Sequence, residues 1–230
     1  MSTIDAHLLD WEEAVGGISL QDGGILIGNG ASIAIWERFN YPSLFGVSER
    51  SELETSLRVD DTRIFGEFET TDFEMILCAL RNTIKVLTAL DIPATCITER
   101  YDHIRRALVV AVQSVHVQHL QIPESTLESI ADELRTFKYV YSTNYDLLLY
   151  WAIMYQSASG FKDFFWADGR SFDPSNTNIT DNSTRILFLH GALHLYVNGH
   201  RTRKLAANDG EDLLTLFENS RDTPLFFSFR

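Results

Sequence analysis

Phe137-Lys138-Tyr139-Val140-Tyr141-Ser142-Thr143-Asn144-Tyr145-Asp146-Leu147-Leu148-Leu149-Tyr150 passes within fourteen residues from one structural habit to another. Phe137 to Tyr141 is aromatic and β-branched and reads as a strand, Ser142 to Asp146 is a polar turn, and Leu147 to Tyr155 is an apolar helix. Strand, tight polar turn and helix make the unit from which parallel α/β sheets are built. A second such unit lies upstream, where the short run Ile25-Leu26-Ile27 reads as a buried strand. Gly28-Asn29-Gly30-Ala31-Ser32 then turns the chain into a helical segment from Ile33 to Arg38. A third strand, Ile186 to Leu189, ends at His190-Gly191.

Between the first two units the sequence is helical. Residues 40–70, with Pro42, Gly46 and Gly66, read as an irregular surface excursion. Thr71-Asp72-Phe73-Glu74 has the spacing of a capping box, and Phe73, Ile76, Leu77, Leu80, Ile84 and Leu87 follow at helical intervals. Tyr101 to Val115 and, after Pro123, Leu127 to Leu134 carry two further stripes. Residues 4–15 predict a short amphipathic helix, Phe164 to Trp166 a short strand, and Asp168 to Ser183 a loop. A hairpin turns at Asn198-Gly199 and returns through His200 to Leu205, Leu213 to Phe217 is helical, and Pro224 to Phe229 is a last strand. The expectation is one α/β domain over residues 1–230. It has a Rossmann-like, mainly parallel sheet flanked by helices, with a helical insertion at about 40–136.

Composition narrows the function. Nineteen Lys and Arg against 32 Asp and Glu give a net charge of −13, which disfavours direct contact with nucleic acid or an anionic membrane. Cys78 and Cys96 are too few for a disulfide framework or a four-thiolate zinc site, which fits a reducing, cytoplasmic setting and no metal. The N-terminus lacks a basic start followed by an apolar run, so no targeting segment is expected.

In an open parallel sheet, ligands collect beyond the carboxyl ends of the strands, and all three polar turns sit there. Gly28 and Gly30 fit a plain glycine turn as well as close approach of a pyrophosphate. They do not complete a dinucleotide fingerprint, because Ile33 occupies the third glycine position. Asn144 is placed to point into the crevice, whereas Asp146 also fits an Asx cap on the following helix. His190 fits both a structural histidine and a base at a strand end. His103, His116, His119, His194 and His200 have no comparable setting.

Taken in order, GNGAS at 28–32, STNYDLLLYWA at 142–152 and FLHG at 188–191 resemble the three motifs of the sirtuin-like (silent information regulator) NAD-binding family. The likeness is to its bacterial, NAD-consuming branch, with weaker support from TDFE at 71–74. The resemblance implies that Gly28, Gly30, Ala31 and Ser32 cradle the phosphates and that Asn29, Thr143 and Gly191 also bind the cofactor. It implies that Asn144 holds a ribose hydroxyl or the attacking water, and that Asp146 supports the nicotinamide-ribose end or its loop. His190 becomes the general base. NAD is then a substrate, cleaved to nicotinamide and ADP-ribose. In such relatives this commonly serves defence against phage, and because uncontrolled loss of the cofactor is toxic, regulation by self-assembly or by a partner protein is expected.

Two departures from the family bear on this. Its protein deacylases carry a four-cysteine zinc module, which two distant cysteines cannot supply, so hydrolysis is favoured over deacylation. Its members also have a later strand and glycine/serine loop on the adenosine side, whereas this sequence ends at Arg230, leaving open a truncated chain with an incomplete pocket. A catalytically silent sensor of NAD or ADP-ribose is the alternative from another class.

Overall fold

The computed structural model describes residues 12–13, 16, 22–50, 55–155, 157–165, 170–176, 183–198, 200–205 and 224–226. The amphipathic helix expected at 4–15 lies almost wholly outside these residues, as do Trp166, the helix at 213–217 and the end of the last strand.

Two sheets organise the chain. The first holds β1 (Gly24–Ile27), β2 (Tyr139–Ser142), β3 (Phe161–Lys162) and β4 (Thr184–Phe188) in the order β1-β2-β4-β3, every pairing parallel. Parallel neighbours need crossover connections, and helices supply them. Between β1 and β2 lie α1 (Asn29–Ile35), α2 (Tyr41–Arg50), α3 (Val59–Glu67), α4 (Phe73–Ala89), α5 (Thr95–Val115) and α6 (Glu124–Leu134), and α7 (Leu148–Tyr155) follows β2. Seven α-helices among the described residues therefore flank a four-stranded parallel sheet, a mixed α/β, Rossmann-like arrangement. The second sheet is antiparallel, β6 (Arg201–Lys204), β5 (Gly191–Asn198) and β7 (Pro224–Phe226) in the order β6-β5-β7.

Several expectations are corrected. Residues 40–70 are not an irregular excursion but carry α2 and α3. Pro42 stands in the first turn of α2, where its missing N–H has no helical partner to lose, and Leu44 and Phe65 anchor the two helices in the core. The helix after β1 starts at Asn29, four residues earlier than expected. The cap of α4 is Asp72 rather than Thr71, its carboxylate accepting from the N–H groups of Glu74 (2.8 Å) and Met75 (3.2 Å). β1 is an edge strand with Leu26 64% exposed, not a buried one. The short strand near 164 forms instead at Phe161–Lys162, because Phe164 adopts φ +65°, outside the strand region.

One core joins the helical layer, with Phe65, Phe73, Ile76, Ile104 and Leu108 almost wholly buried, and a second joins α6 and α7 to the sheet through Leu134, Val140, Ile153 and Ile186. Phe65 packs edge-on to Phe73 with centroids 5.0 Å apart. Among the described residues no helix is long and apolar enough to cross a membrane.

Candidate functional site

Register places the three polar turns side by side. Ile27 pairs with Ser142, and Ser142 with Phe188, so β1, β2 and β4 end level with one another. The ladder extends one residue further, Thr143 N–H donating to Ile27 O (3.0 Å) and Leu189 N–H to Ser142 O (2.7 Å). Gly191 then takes φ +82°, a value that favours glycine, and so turns the chain from β4 directly into β5.

At this edge Ser32, Asn144 and Asp146 meet, all buried. The Ser32 hydroxyl donates to Asp146 Oδ2 at 2.5 Å, and Asn144 Nδ2 donates to Ser32 Oγ at 2.6 Å. Because an ionised Asp146 can only accept, the Ser32 proton points to it, and Ser32 Oγ must then accept from the Asn144 amide nitrogen. This orients the carboxamide, leaving Asn144 Oδ1 buried and without a hydrogen-bond partner among the described residues. Asp146 Oδ1 also accepts from Leu148 N–H at 2.9 Å, so the Asx cap on α7 and the contact to Ser32 coexist in one carboxylate.

A cavity of about 80 Å³ opens beside this group. Its polar wall includes Asn29, Glu74, Thr143, Asn144 and Asp146, and Phe39, Phe73 and Leu108 are among its apolar lining. Asn29 Nδ2 donates to Phe39 O (3.2 Å) and Thr143 Oγ1 to Ile27 O (3.3 Å), which fixes both side chains. Gly30 and Ala31 are exposed at the start of α1. Gly28 is extended at φ −109°, so neither it nor Gly30 forms the left-handed turn that a glycine would uniquely permit. A Cβ added at Gly30 would meet nothing within 4 Å, and one at Gly28 only Thr143 Oγ1 at 3.8 Å.

His190 is not among the residues that line the cavity; its ring stacks on that of Tyr145, which is, at 6.2 Å with planes 24° apart. Tyr145 in turn donates its hydroxyl to Glu74 Oε1 at 2.6 Å. Burial, and then the neighbouring Glu74 charge, push the Tyr145 and Tyr41 hydroxyl pKa values up, so both remain protonated donors near neutral pH. Glu74 and Tyr145 escaped sequence reasoning as site residues, although both lie in segments that carry the resemblance. His116 is structural: its Nε2 accepts from Leu147 N–H at 2.9 Å, which puts the ring proton on Nδ1, facing Val117 O at 2.8 Å.

Residues 25–228 match the family described as Domain of unknown function (DUF4917). The chain belongs to the DUF4917 family. No curated protein matches it. In this DUF4917 member the matched residues include every strand of the parallel sheet except Gly24 of β1, and all the residues gathered at its carboxyl edge.

Proposed function

We propose that the chain is an NAD hydrolase that converts NAD and water to nicotinamide and ADP-ribose at the carboxyl edge of the parallel sheet. The observation that carries this reading is the meeting of Ser32, Asn144 and Asp146 around one serine oxygen, beside a cavity, with Asn144 Oδ1 left as an unmatched buried acceptor. A buried acceptor without a partner costs about 1–3 kcal/mol, which a ligand hydroxyl or a water in the cavity repays. Gly30 supports the reading from another side. Inside α1 glycine costs stability relative to alanine, and crowding within the chain does not demand it there, whereas Gly28 is the N-cap, a position that favours glycine over alanine. The open space beside Gly30 leaves room for the pyrophosphate.

In the proposed reaction the C1′–N bond to nicotinamide breaks, its electron pair neutralising the pyridinium nitrogen. Water forms the new C1′–O bond, and its proton passes to His190. The leaving group carries its own positive charge and needs no acid. Asn144 Oδ1 orients the water or a ribose hydroxyl, while Ser32 and Asp146 hold that amide still. Pockets for whole ligands run to roughly 300–1,000 Å³. The cavity of about 80 Å³ is smaller than a nicotinamide-ribose unit and receives only part of it in this proposal, with the rest of the dinucleotide along the strand edge past Gly28 and Gly30. Depletion of NAD during phage infection, kept in check by self-assembly or a partner, is the biological use in this proposal.

A second reading, a silent sensor of NAD or ADP-ribose, draws on the same contacts, since Ser32, Asp146 and the Asn144 nitrogen already satisfy one another. Incubating the protein with NAD and following nicotinamide by chromatography separates the two. Release that is lost in Asn144→Ala supports the hydrolase; tight NAD binding without release supports the sensor.

A further inference from the structure

We propose that Glu74 reads the nicotinamide-side ribose, its carboxylate and the Asn144 amide oxygen together accepting the protons of a vicinal diol. The inference rests on the hydrolase reading of this site and adds to it how the sugar is recognised.

Glu74 is the second residue of α4, and its backbone is pinned by the bond from its N–H to the capping Asp72 carboxylate. Its side chain forms part of the cavity wall that also includes Asn144. Oε1 is taken by the Tyr145 hydroxyl, which leaves Oε2 for a further donor. Asn144 contributes the second acceptor, because the Ser32 relay commits its nitrogen and turns Oδ1 away from Ser32.

A wall that holds one buried acceptor unmatched among the described residues and one half-buried carboxylate suits a ligand that brings two donors close together. Neighbouring hydroxyls on a furanose ring do so, and the apolar side chains of Phe39, Leu44, Phe73 and Leu108 suit the C–H faces of the sugar. A phosphate would meet the negative charge of Glu74, so the carboxylate also sets the direction in which the dinucleotide lies, sugar inward and pyrophosphate toward Gly28 and Gly30. As the glycosidic bond breaks, positive charge grows on the ribose ring, and a fixed carboxylate nearby stabilises it. Tyr145 is a positioning residue, since its hydroxyl holds Oε1 and its ring lies against His190.

The test compares wild type and Glu74→Gln on NAD and on an NAD analogue whose nicotinamide-side ribose lacks its 3′-hydroxyl. The ratio of the two rates does not depend on how much of the variant is folded. Wild type is expected to prefer NAD by about tenfold or more, the worth of a hydrogen bond to a charged acceptor, and Glu74→Gln to bring the ratio near one. An unchanged ratio and rate in Glu74→Gln overturns the inference and leaves the hydrolase standing. ADP-ribose binding, measured by calorimetry, covers the opposite case. If wild type releases no nicotinamide yet binds ADP-ribose about tenfold more tightly than Glu74→Gln, the hydrolase falls and the sugar recognition stands. Neither turnover nor binding overturns both.

Discussion

Two buried aspartates do opposite work. Asp61, on α3 and fully buried, accepts from Arg100 Nη1 at 2.7 Å, from His103 Nδ1 at 2.9 Å and from Arg58 N–H at 2.8 Å. Arg100 and His103 both stand on α5, and the carboxylate raises the Arg100 pKa chiefly by hydrogen bonding. Asp61 is thereby a brace between α3 and α5. Asp146 is held by a hydroxyl and a backbone N–H, both neutral, and its neighbour Asn144 retains an open acceptor beside a cavity. A carboxylate already taken up by an arginine, a histidine and a backbone N–H has nothing left for a ligand, whereas one that orients an amide through a hydroxyl prepares a site.

If that contrast is right, the two clusters respond to mutation in different currencies. Asn144→Ala and His190→Ala should each lower NAD consumption by about 10²–10⁴-fold, the usual span for losing a positioned acid–base group, with thermal midpoints close to wild type. Retained turnover in both variants would place the chemistry elsewhere. Asp61→Ala should do the reverse. Removing one partner of a buried charge cluster costs about 3–5 kcal/mol, visible as an early denaturant midpoint, while the rate per folded molecule stays near wild type. Ser32→Ala falls between them. It strands Asn144 Nδ2 and Asp146 Oδ2 together, so about 1–3 kcal/mol of stability should go along with turnover, and a loss of stability alone would make the cluster a second brace.

What the sequence disclosed, and what it hid, follows from range. The strand-turn-helix units at 25–38 and 137–155 and the strand at 186 were legible because periodicity and turn chemistry act over a few residues. The polar turns that hold Asn144, Asp146 and His190 were legible for the same reason, each lying within four residues of a strand end. The α2 and α3 helices were hidden because Pro42, Gly46 and Gly66 are read locally as breakers, while the burial of Leu44 and Phe65 that overrides them is tertiary. Glu74 was hidden as a site residue because its partner Tyr145 lies 71 positions away. The Ser32 hydroxyl, read as part of a phosphate cradle, engages residues 112 and 114 positions on, a link no local pattern encodes.

The remaining expected effect is confined to acid and concerns a third buried polar group that neither braces nor binds. His194, on β5, is 1% exposed, with its ring 4.7 Å from that of Tyr150 and 4.9 Å from that of Phe188, and both its nitrogens lack hydrogen-bond partners among the described residues. Burial, helped by the nearby positive charge of Lys204, lowers its pKa to about 3. The charged form is thus excluded from the folded chain but available to the unfolded one, which binds the extra proton below its own pKa near 6.5. Stability from this group is therefore complete above about pH 6.5 and lost as pH falls toward about 3, with a slope of at most about 1.4 kcal/mol per pH unit. Lys204 is ion-paired with Asp163. His194→Leu keeps an apolar body of similar size and removes the titrating ring. Denaturation midpoints followed from pH 7 to pH 4 should fall less steeply in the variant than in wild type, and parallel curves would show that the acid sensitivity belongs to the carboxylates instead.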